Sequence, residues 1–156
     1  MKIKTDNILR VLESRAPSGP DWNQVLVEIL KLFDCSTGTI HFLDHGKNLL
    51  ALKAQQGLPE AFLPRVSLIP IGKGMAGIAA ERRQAVQVCN LQTDITGIAK
   101  PSAKETKVEG AITVPLLWNG QIFGTLGIAK KTPHEFSKEE IEALMEVGLA
   151  ICNVIS

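Results

Sequence analysis

The dipeptide Asn119-Gly120 joins two apolar stretches of this chain, Gly110–Trp118 and Gln121–Lys130. Asn-Gly between two such stretches is the strongest short-range signal for a β-hairpin, because both positions of a type I′ turn need a positive φ. A two-residue turn also fixes which residues of the two strands face each other. The sequence therefore predicts a hairpin of defined register near its C-terminal third.

In that register Val114 lies opposite Thr125 and Thr113 lies opposite Leu126. An antiparallel sheet with one buried face would show polar residues at alternate positions, and this hairpin does not. We therefore expect it to lie centrally in an antiparallel sheet and to be covered on both sides. The two predicted faces are Ile112, Val114, Leu116 and Phe123, and Leu117, Ile122, Leu126 and Ile128.

Four further stretches are typical of strands, and turn formers separate them. The first two are joined by His45-Gly46-Lys47, a turn short enough for a second antiparallel hairpin, in which Gly46 is expected to take the positive φ. The predicted strands are Thr37–Asp44, Asn48–Gln55, Val66–Ile71 and Ala85–Cys89.

Three helices frame these strands. A short one opens at Thr5 or Asp6 and ends before the PSGP of residues 17–20. A second, Trp22–Phe33, follows Asp21 as its N-cap and has the apolar spacing of a one-sided amphipathic helix. Its apolar stripe is expected to pack on a flat surface such as a sheet.

The third helix has the clearest start signal in the chain. Ser137 followed three residues later by Glu140 forms a capping box, and Phe136 can pack onto Ile141. Ile151 and Val154 make the apolar band wider than one contact needs, so a second helix, for instance from another subunit, is expected to meet it. The predicted stripe facing the sheet is Ile141, Leu144, Met145, Leu149, Cys152 and Ile155.

Three glycines, Gly72, Gly74 and Gly77, fall within six residues ahead of a short predicted helix, Met75–Glu81. Glycine allows tight turns and close approach to the backbone, and the first amides of a helix have no intrahelical acceptor. This glycine corner therefore predicts a place where a small ligand docks. The alternative is a structural turn that needs glycine for packing, and the spacing does not match a dinucleotide-binding motif.

Residues 90–109 show no sustained periodicity and mix turn formers with a few apolar side chains. Connections of this length within compact domains often serve as lids or binding loops, which is the hypothesis favoured here; a tolerated surface loop is the alternative.

Composition excludes several classes of protein. The 156 residues suit one domain, and 17 basic against 16 acidic residues give a net charge of +1 with no basic patch for nucleic acid. No signal core or apolar run long enough for a membrane span is present, so a cytoplasmic protein without membrane or nucleic-acid partners is expected. Cys35, Cys89 and Cys152 form no disulfide or zinc pattern and are expected to be buried free thiols.

The order of these segments resembles the GAF domain family. The resemblance covers nearly the whole chain and rests on STGTIHFLD, LLALKAQQGLPE, GKGMAGIAAERRQAVQV, AITVPLLWNGQIFGTLGIAKK and EFSKEEIEALMEVGLAI. It implies a single α+β domain over residues 1–156, with a profilin-like α/β/α architecture and a central antiparallel sheet of about five to six strands. The N- and C-terminal helices would cover one face, with a helical extension at 1–16 and the closing helix at 137–156. A short helix and irregular loops would form a pocket on the other face, with a lid loop at 90–109.

The resemblance also implies a ligand site between the sheet and the irregular segments. The first strand, the glycine corner and the lid would contribute to it. Alternation along the strand sends Ile40 and Phe42 to one face and Thr39, His41 and Leu43 to the other. The implied ligand-binding residues are Thr39, His41, Gly74, Met75, Ala76, Gly77, Ile95, Ile98 and Lys100, of which His41 could equally be a core residue and Lys100 a solvated one.

A stand-alone sensory or regulatory module without catalytic activity is the function that the resemblance favours, acting in signal transduction through a partner protein or a homodimer of the terminal helices. Its ligand is not specified, and no cofactor or metal is indicated. Two alternatives stay open: an enzyme like the free methionine-sulfoxide reductases of this family, and a structural dimerisation module with a self-filled pocket. The reductase pattern needs a cysteine in the glycine corner and another in the lid, and neither is present here. The motifs for cyclic-nucleotide binding and bilin attachment are also missing, and His41, His45 and His134 are not spaced as metal ligands.

Overall fold

Six antiparallel strands form one sheet in the order β3-β2-β1-β6-β5-β4 in the computed structural model, which describes residues 3–13, 19–93 and 107–155. The expected α+β architecture with a central antiparallel sheet is confirmed. The strands are β1 Thr37–Asp44, β2 Leu49–Gln56, β3 Leu68–Pro70, β4 Val86–Val88, β5 Ala111–Trp118 and β6 Gln121–Ala129. The helices are α1 Asp6–Leu12, α2 Trp22–Phe33, α3 Leu63–Val66, α4 Gly74–Arg82 and α5 Lys138–Ile155, with a 3₁₀ turn at Glu60–Phe62.

The hairpin β5–β6 has the predicted turn, with φ of 51° at Asn119 and 77° at Gly120. Beyond Leu117, however, its predicted register is wrong by one residue. Leu117 pairs with Ile122, whereas Leu116 pairs with Gly124, so the intervening residue of β6 bulges out of the ladder. Val114 therefore lies opposite Leu126, and Thr113 lies opposite Gly127.

Gly124 lies directly beside the bulge. A Cβ at this position would collide with the carbonyl oxygen of His41, so β6 approaches β1 more closely than a side chain would allow. The shift also corrects the predicted faces of the hairpin. The residues that share the helix-covered core are Ile112, Val114, Leu116, Leu126 and Ile128.

Helices α1, α2 and α5 supply the apolar core on one face of the sheet. Asp21 caps α2 by accepting a hydrogen bond from the Gln24 N–H at 3.2 Å. The capping box of α5 is present in both directions, because Glu140 N–H donates to Ser137 Oγ at 3.1 Å and Ser137 N–H donates to Glu140 Oε1 at 3.0 Å. These local signals place both helices as the sequence predicts.

The face that α5 turns to the sheet differs from the predicted stripe. Ile151 is fully buried in the core, whereas Leu149 is 47% exposed. The helix is therefore rotated so that small residues reach the strands: the ideal Cβ of Gly148 would lie 3.2 Å from the Leu116 side chain. Val154 is exposed, which agrees with the prediction that the apolar band of this helix is wider than its contact with the sheet needs.

Two shorter elements differ from the sequence-based expectations for local reasons. In the β1–β2 turn it is Asn48, with φ of 55°, and not Gly46 that takes the left-handed conformation. The predicted strand beginning at Val66 is only Leu68–Pro70, because Pro64 favours the first turn of helix α3. Within the described residues, no helix is both long enough and apolar enough to cross a membrane.

Candidate functional site

The glycine corner forms a tight turn that leads directly into α4. Gly72 and Gly74 have φ of 89° and 65°, values that side-chain-bearing residues rarely adopt. Gly72 N–H donates to the Gly77 carbonyl at 2.8 Å, which closes the turn against the helix. A Cβ on Gly77 would collide with the Pro70 carbonyl oxygen, so Gly77 is needed for packing.

The N-terminus of α4 opens into a cavity. Its N-cap, Lys73, makes no side-chain capping bond, and the first intrahelical bond is from Gly77 N–H to the Lys73 carbonyl at 3.0 Å. Gly74, Met75 and Ala76 line the cavity, so the first turn of a helix, with its partial positive charge, forms part of the wall.

This cavity has a volume of about 510 Å³ and lies between the sheet and the irregular segments. Strands β1, β5 and β6 form its floor, α4 forms one wall, and the segment with the 3₁₀ turn and α3 forms another. Ile69 of β3, Leu91 and Val108 also line the cavity. Pockets of 300 to 1,000 Å³, by the general rule, hold small organic molecules.

The floor carries a pair of hydroxyl groups around a glycine. Thr39 on β1 and Thr113 on β5 are both direct cross-strand partners of Gly127 on β6. A Cβ on Gly127 would lie 3.3 Å from Thr39 Oγ1 and 3.1 Å from Thr113 Oγ1. The space above Gly127 is therefore bordered by two groups that can each donate and accept a hydrogen bond.

The charged groups at the cavity are all basic among its described lining residues. Lys73 lies at the start of α4, and Arg65 lies on α3 with its guanidinium carbon 5.2 Å from the centre of the Phe62 ring. The remaining described lining is mostly aliphatic or glycine, with Thr37 as a further hydroxyl. An apolar body with a polar or anionic group is the kind of molecule that this lining complements.

Four of the residues implied as ligand-binding line the cavity: Thr39, Gly74, Met75 and Ala76. Gly77 is buried behind them in the corner. Ile95, Ile98 and Lys100, together with most of the implied lid at 90–109, lie outside the described residues. Of the implied residues, the cavity lining therefore brings together one from β1 and those of the first turn of α4.

His41 does not line the cavity. It is 1% exposed, and its Nε2 lies 2.8 Å from the carbonyl oxygen of Val66. Burial lowers the pKa of the His41 imidazole below its ordinary value of 6.5, with the hydrogen bond to Val66 acting in the opposite direction. The ring is therefore neutral at pH 7 and belongs to the support of the cavity wall that carries Val66.

Sequence reasoning missed the wall formed by Leu58, Phe62, Arg65 and Val66, and the contribution of β5 and β6 to the floor. The sequence after β2 is typical of the end of a hairpin followed by a strand, a pattern that predicts no site residues there. A signal for the floor was present: Thr113 and Gly127 lie between aliphatic neighbours in their strands.

The three cysteines do not line the cavity. Cys152 is buried as expected and Cys35 is half-buried, whereas Cys89 is exposed, contrary to the expectation for all three. Burial raises the pKa of the Cys152 thiol to about 11, and burial likewise raises the pKa of Cys35 to about 11 although Lys130 acts to lower it. Among the described residues, no group of three or more His, Cys, Asp or Glu side chains could hold a metal ion.

A single α+β domain with a helical layer on one face of its sheet and a cavity on the other is the class that this fold and site define. The chain belongs to the GAF domain family, whose model matches residues 23–156. A comparison with curated proteins finds no match.

Solved structures share this fold. The GAF domain of a phosphoenolpyruvate-protein phosphotransferase from Coxiella burnetii is 20% identical, with a TM-score of 0.76 over 97% of this chain and 92% of that chain. Free methionine-R-sulfoxide reductase from Neisseria meningitidis, solved with its substrate, is 19% identical, with a TM-score of 0.72 over 96% and 84% of the two chains. The protein named fRMsr of Staphylococcus aureus, in its reduced form, is 21% identical, with a TM-score of 0.70 over 97% of this chain and 92% of that chain. At these identities the likeness shows the fold alone.

Proposed function

We propose that this chain is a sensory or regulatory module that binds a small molecule in the cavity and catalyses no reaction on it. The observation that carries the proposal is the cavity of about 510 Å³ between the sheet and α4, because it has the size of a ligand site and is lined by few polar groups. Ligand binding would shift the population of conformations rather than drive chemistry.

The ligand is a small organic molecule with an apolar body and one polar or anionic group. Aliphatic side chains such as Ile69 and Leu91 supply most of the lining. Thr39 and Thr113 offer hydroxyl groups at the floor, and Lys73 and Arg65 offer positive charge. A carboxylate would be attracted to these basic groups, whereas an ammonium group would be repelled.

The proposal of a non-catalytic module is supported by the cysteines. A thiol reductase needs a thiolate at its substrate, and a pKa of about 11 leaves the Cys35 and Cys152 thiols protonated near neutral pH. Cys89 is exposed and does not line the cavity. A methionine-sulfoxide reduction assay tests this point: we expect no turnover, and turnover that the Cys89→Ser variant abolishes would contradict it.

Output through a homodimer of the terminal helices is part of the proposal. Leu149 and Val154 of α5 are 47% and 41% exposed, and Leu9 of α1 is 37% exposed, which leaves apolar surface on both terminal helices. We expect a dimer in sedimentation analysis that the Leu149→Glu variant weakens. A wild-type monomer at all accessible concentrations would contradict this part alone.

The ligand class is tested by calorimetry with three probes that share one apolar body: phenylbutyrate, phenylbutanol and phenylbutylamine. We expect the carboxylate to bind about tenfold more tightly than the alcohol and the amine to bind most weakly, in line with a difference of about 1.4 kcal/mol. Lys73→Gln should reduce the preference for the carboxylate. Gly127→Val, which fills the space between the two threonine hydroxyls, should remove binding of all three.

The possible outcomes separate the two levels of the proposal. Equal binding of the three probes would contradict the anionic class and leave a ligand-binding cavity. Probe binding that Gly127→Val leaves unchanged would contradict the cavity as the binding site. If none of the three probes binds, the proposal that this cavity accepts apolar organic molecules is contradicted.

A further inference from the structure

A second polar group of residues lies in the sheet next to the cavity floor. His41 on β1 and Thr125 on β6 are direct cross-strand partners, two residues along from the pair Thr39 and Gly127. His41 and Thr125 are each 1% exposed, and neither lines the cavity. Directly opposite residues of an antiparallel pair project from the same face, so these two side chains are neighbours.

The hydrogen bond to Val66 determines which nitrogen of the His41 ring carries the proton. A carbonyl oxygen can only accept, so Nε2, at 2.8 Å from the Val66 carbonyl, must be the donor. Burial favours the neutral ring. In the neutral ring Nδ1 therefore has a lone pair that is able to accept a hydrogen bond.

Two atoms of this pair are buried and lack a hydrogen-bond partner among the described residues: His41 Nδ1 and Thr125 Oγ1. Buried polar atoms in native proteins nearly always have a partner, either protein or ordered water. The acceptor on His41 and the hydroxyl on Thr125 are complementary to one water molecule, which can donate to the first and bond to the second.

The hydrogen bond from His41 matters because of what Val66 belongs to. Phe62, Arg65 and Val66 line the cavity from the 3₁₀ turn and α3, two elements that contain no fully buried residue. Ser67, next in the chain, accepts a hydrogen bond from the Leu52 N–H of β2 at 2.9 Å. The bond from His41 therefore joins this wall to the centre of the sheet.

We propose that His41 and Thr125 bind one internal water molecule between them, and that the ring held in this way positions the cavity wall through Val66. His41 is thus a positioning residue, which acts on the wall and does not touch the ligand. The water site and the wall contact do not depend on the proposed function, whereas any effect on probe affinity does.

The water site is tested by NMR on the full chain without a ligand. We expect cross-relaxation with water from the His41 ring and the Thr125 methyl group, and a ¹⁵N spectrum of the Nε2–H tautomer with Nδ1 accepting a hydrogen bond. Thr125→Val, nearly equal in shape, should remove the water signal and shift Nδ1 toward a value without a hydrogen bond. A direct bond between Thr125 and His41, seen as a shift of Nδ1 with no water signal, would overturn the water site, as would an unchanged Nδ1 in the variant.

The positioning role is tested by hydrogen exchange. In His41→Leu we expect the amide of Phe62, which lies in the wall and donates to the Pro59 carbonyl at 2.9 Å, to exchange at least about tenfold faster relative to core amides of α2. Ile40→Val is the matched control, since Ile40 is the neighbouring buried residue on the opposite face of β1, and its truncation should speed all core amides together. Equal effects of the two variants on Phe62 would overturn the role. If His41→Leu does not fold, the same comparison is made with Thr125→Val, for which a smaller increase confined to Phe62 is expected and an increase shared by all core amides would overturn it.

Discussion

Thr39 and Thr113 stand on opposite sides of Gly127, with their hydroxyl oxygens 3.3 Å and 3.1 Å from the point that a Cβ of Gly127 would occupy. The three residues come from three neighbouring strands and form one row across the cavity floor. Because Gly127 has no side chain, the space between the hydroxyls is open to a polar atom of a ligand. This row is the most specific polar feature of the floor.

The first prediction concerns these hydroxyl groups. Thr39→Val and Thr113→Val keep the side-chain shape and remove one hydrogen-bonding group, so each should weaken phenylbutyrate binding about three- to tenfold, as expected for a net hydrogen bond of about 1 kcal/mol. Calorimetry measures the affinity. Thr132→Val, at an exposed threonine, is the matched control and should change nothing. Unaltered binding in both floor variants would show that the hydroxyl pair does not contact the probe.

The second prediction concerns packing in the glycine corner. Gly77→Ala places a methyl group against the Pro70 carbonyl oxygen and 3.0 Å from the Gly72 amide nitrogen, which forces the turn to move. Overpacking of this kind costs about 1 to 3 kcal/mol of unfolding free energy. Urea denaturation measures the loss. Gly46→Ala is the control, because its Cβ would meet only Asp44 Oδ1 at 3.4 Å, and it should stay within about 0.5 kcal/mol. A Gly77 variant as stable as the control would contradict the packing role.

The third prediction is the pH dependence that His41 causes. Burial lowers the pKa of the His41 imidazole below 6.5 in the folded protein. Between that lower value and pH 6.5, His41 is protonated in the unfolded chain and neutral in the folded one. The contribution of neutral His41 to the free energy of unfolding is complete above pH 6.5. It is lost progressively as the pH falls from 6.5 toward the folded-state pKa. Urea midpoints measured across this range should decrease with falling pH.

The same pH series in two variants isolates the contribution of His41. His41→Leu should remove the decrease that begins near pH 6.5, while His45→Gln, in the exposed β1–β2 turn, should keep it. Glu140 also affects stability in acid, since hydrogen bonds from Ser137 and His134 outweigh burial and lower the pKa of its carboxyl group below 4.5. Its stabilisation is lost only as the pH falls below 4.5. A decrease near 6.5 that persists without His41 would contradict the assignment.

The fourth prediction ranks the thiols by reactivity. Cys89 is exposed, whereas burial raises the pKa values of Cys35 and Cys152 to about 11, so only a small fraction of either is thiolate near neutral pH. Alkylation of the folded protein, followed by peptide mass spectrometry, should modify Cys89 first and Cys152 last. The Cys89→Ser variant should then show no rapid phase. Rapid modification of Cys152 in the folded state would contradict its burial.

The sequence predicted the fold well because its main signals are local. Asp21 and the Ser137–Glu140 capping box specify helix starts within four residues, and Asn119-Gly120 specifies a turn within two. Alternation on β1 also placed Thr39 on the side of the cavity. Such signals need no knowledge of the distant partners.

The cavity floor was harder to predict because one bulge changes every pairing beyond it. A regular β5–β6 ladder places Thr113 opposite Leu126, and the bulge beside Gly124 moves it opposite Gly127. The bulge lies beside the close approach of Gly124 to His41, a contact between strands far apart in sequence. An isolated glycine within a strand is a signal for a bulge, but not for which residues it will align.

The predicted role of His41 as a ligand contact shows a different limit. Alternation correctly sends its side chain to the cavity side of β1, but periodicity does not show which segment covers it. The carbonyl of Val66 takes that place, because Val66, predicted to begin a strand, is instead the last residue of α3. The ring therefore supports the wall rather than lining the cavity.

Ligand entry into the cavity is tested by an amide NMR titration of the full chain with phenylbutyrate. We predict saturable shifts of the Thr39, Met75 and Gly127 amides, which lie on the floor and wall of the cavity, with one common dissociation constant. Gly127→Val should remove these shifts. Saturable shifts confined to residues away from the cavity, such as Leu149 and Val154, or no shift at any concentration, would contradict a ligand-binding cavity.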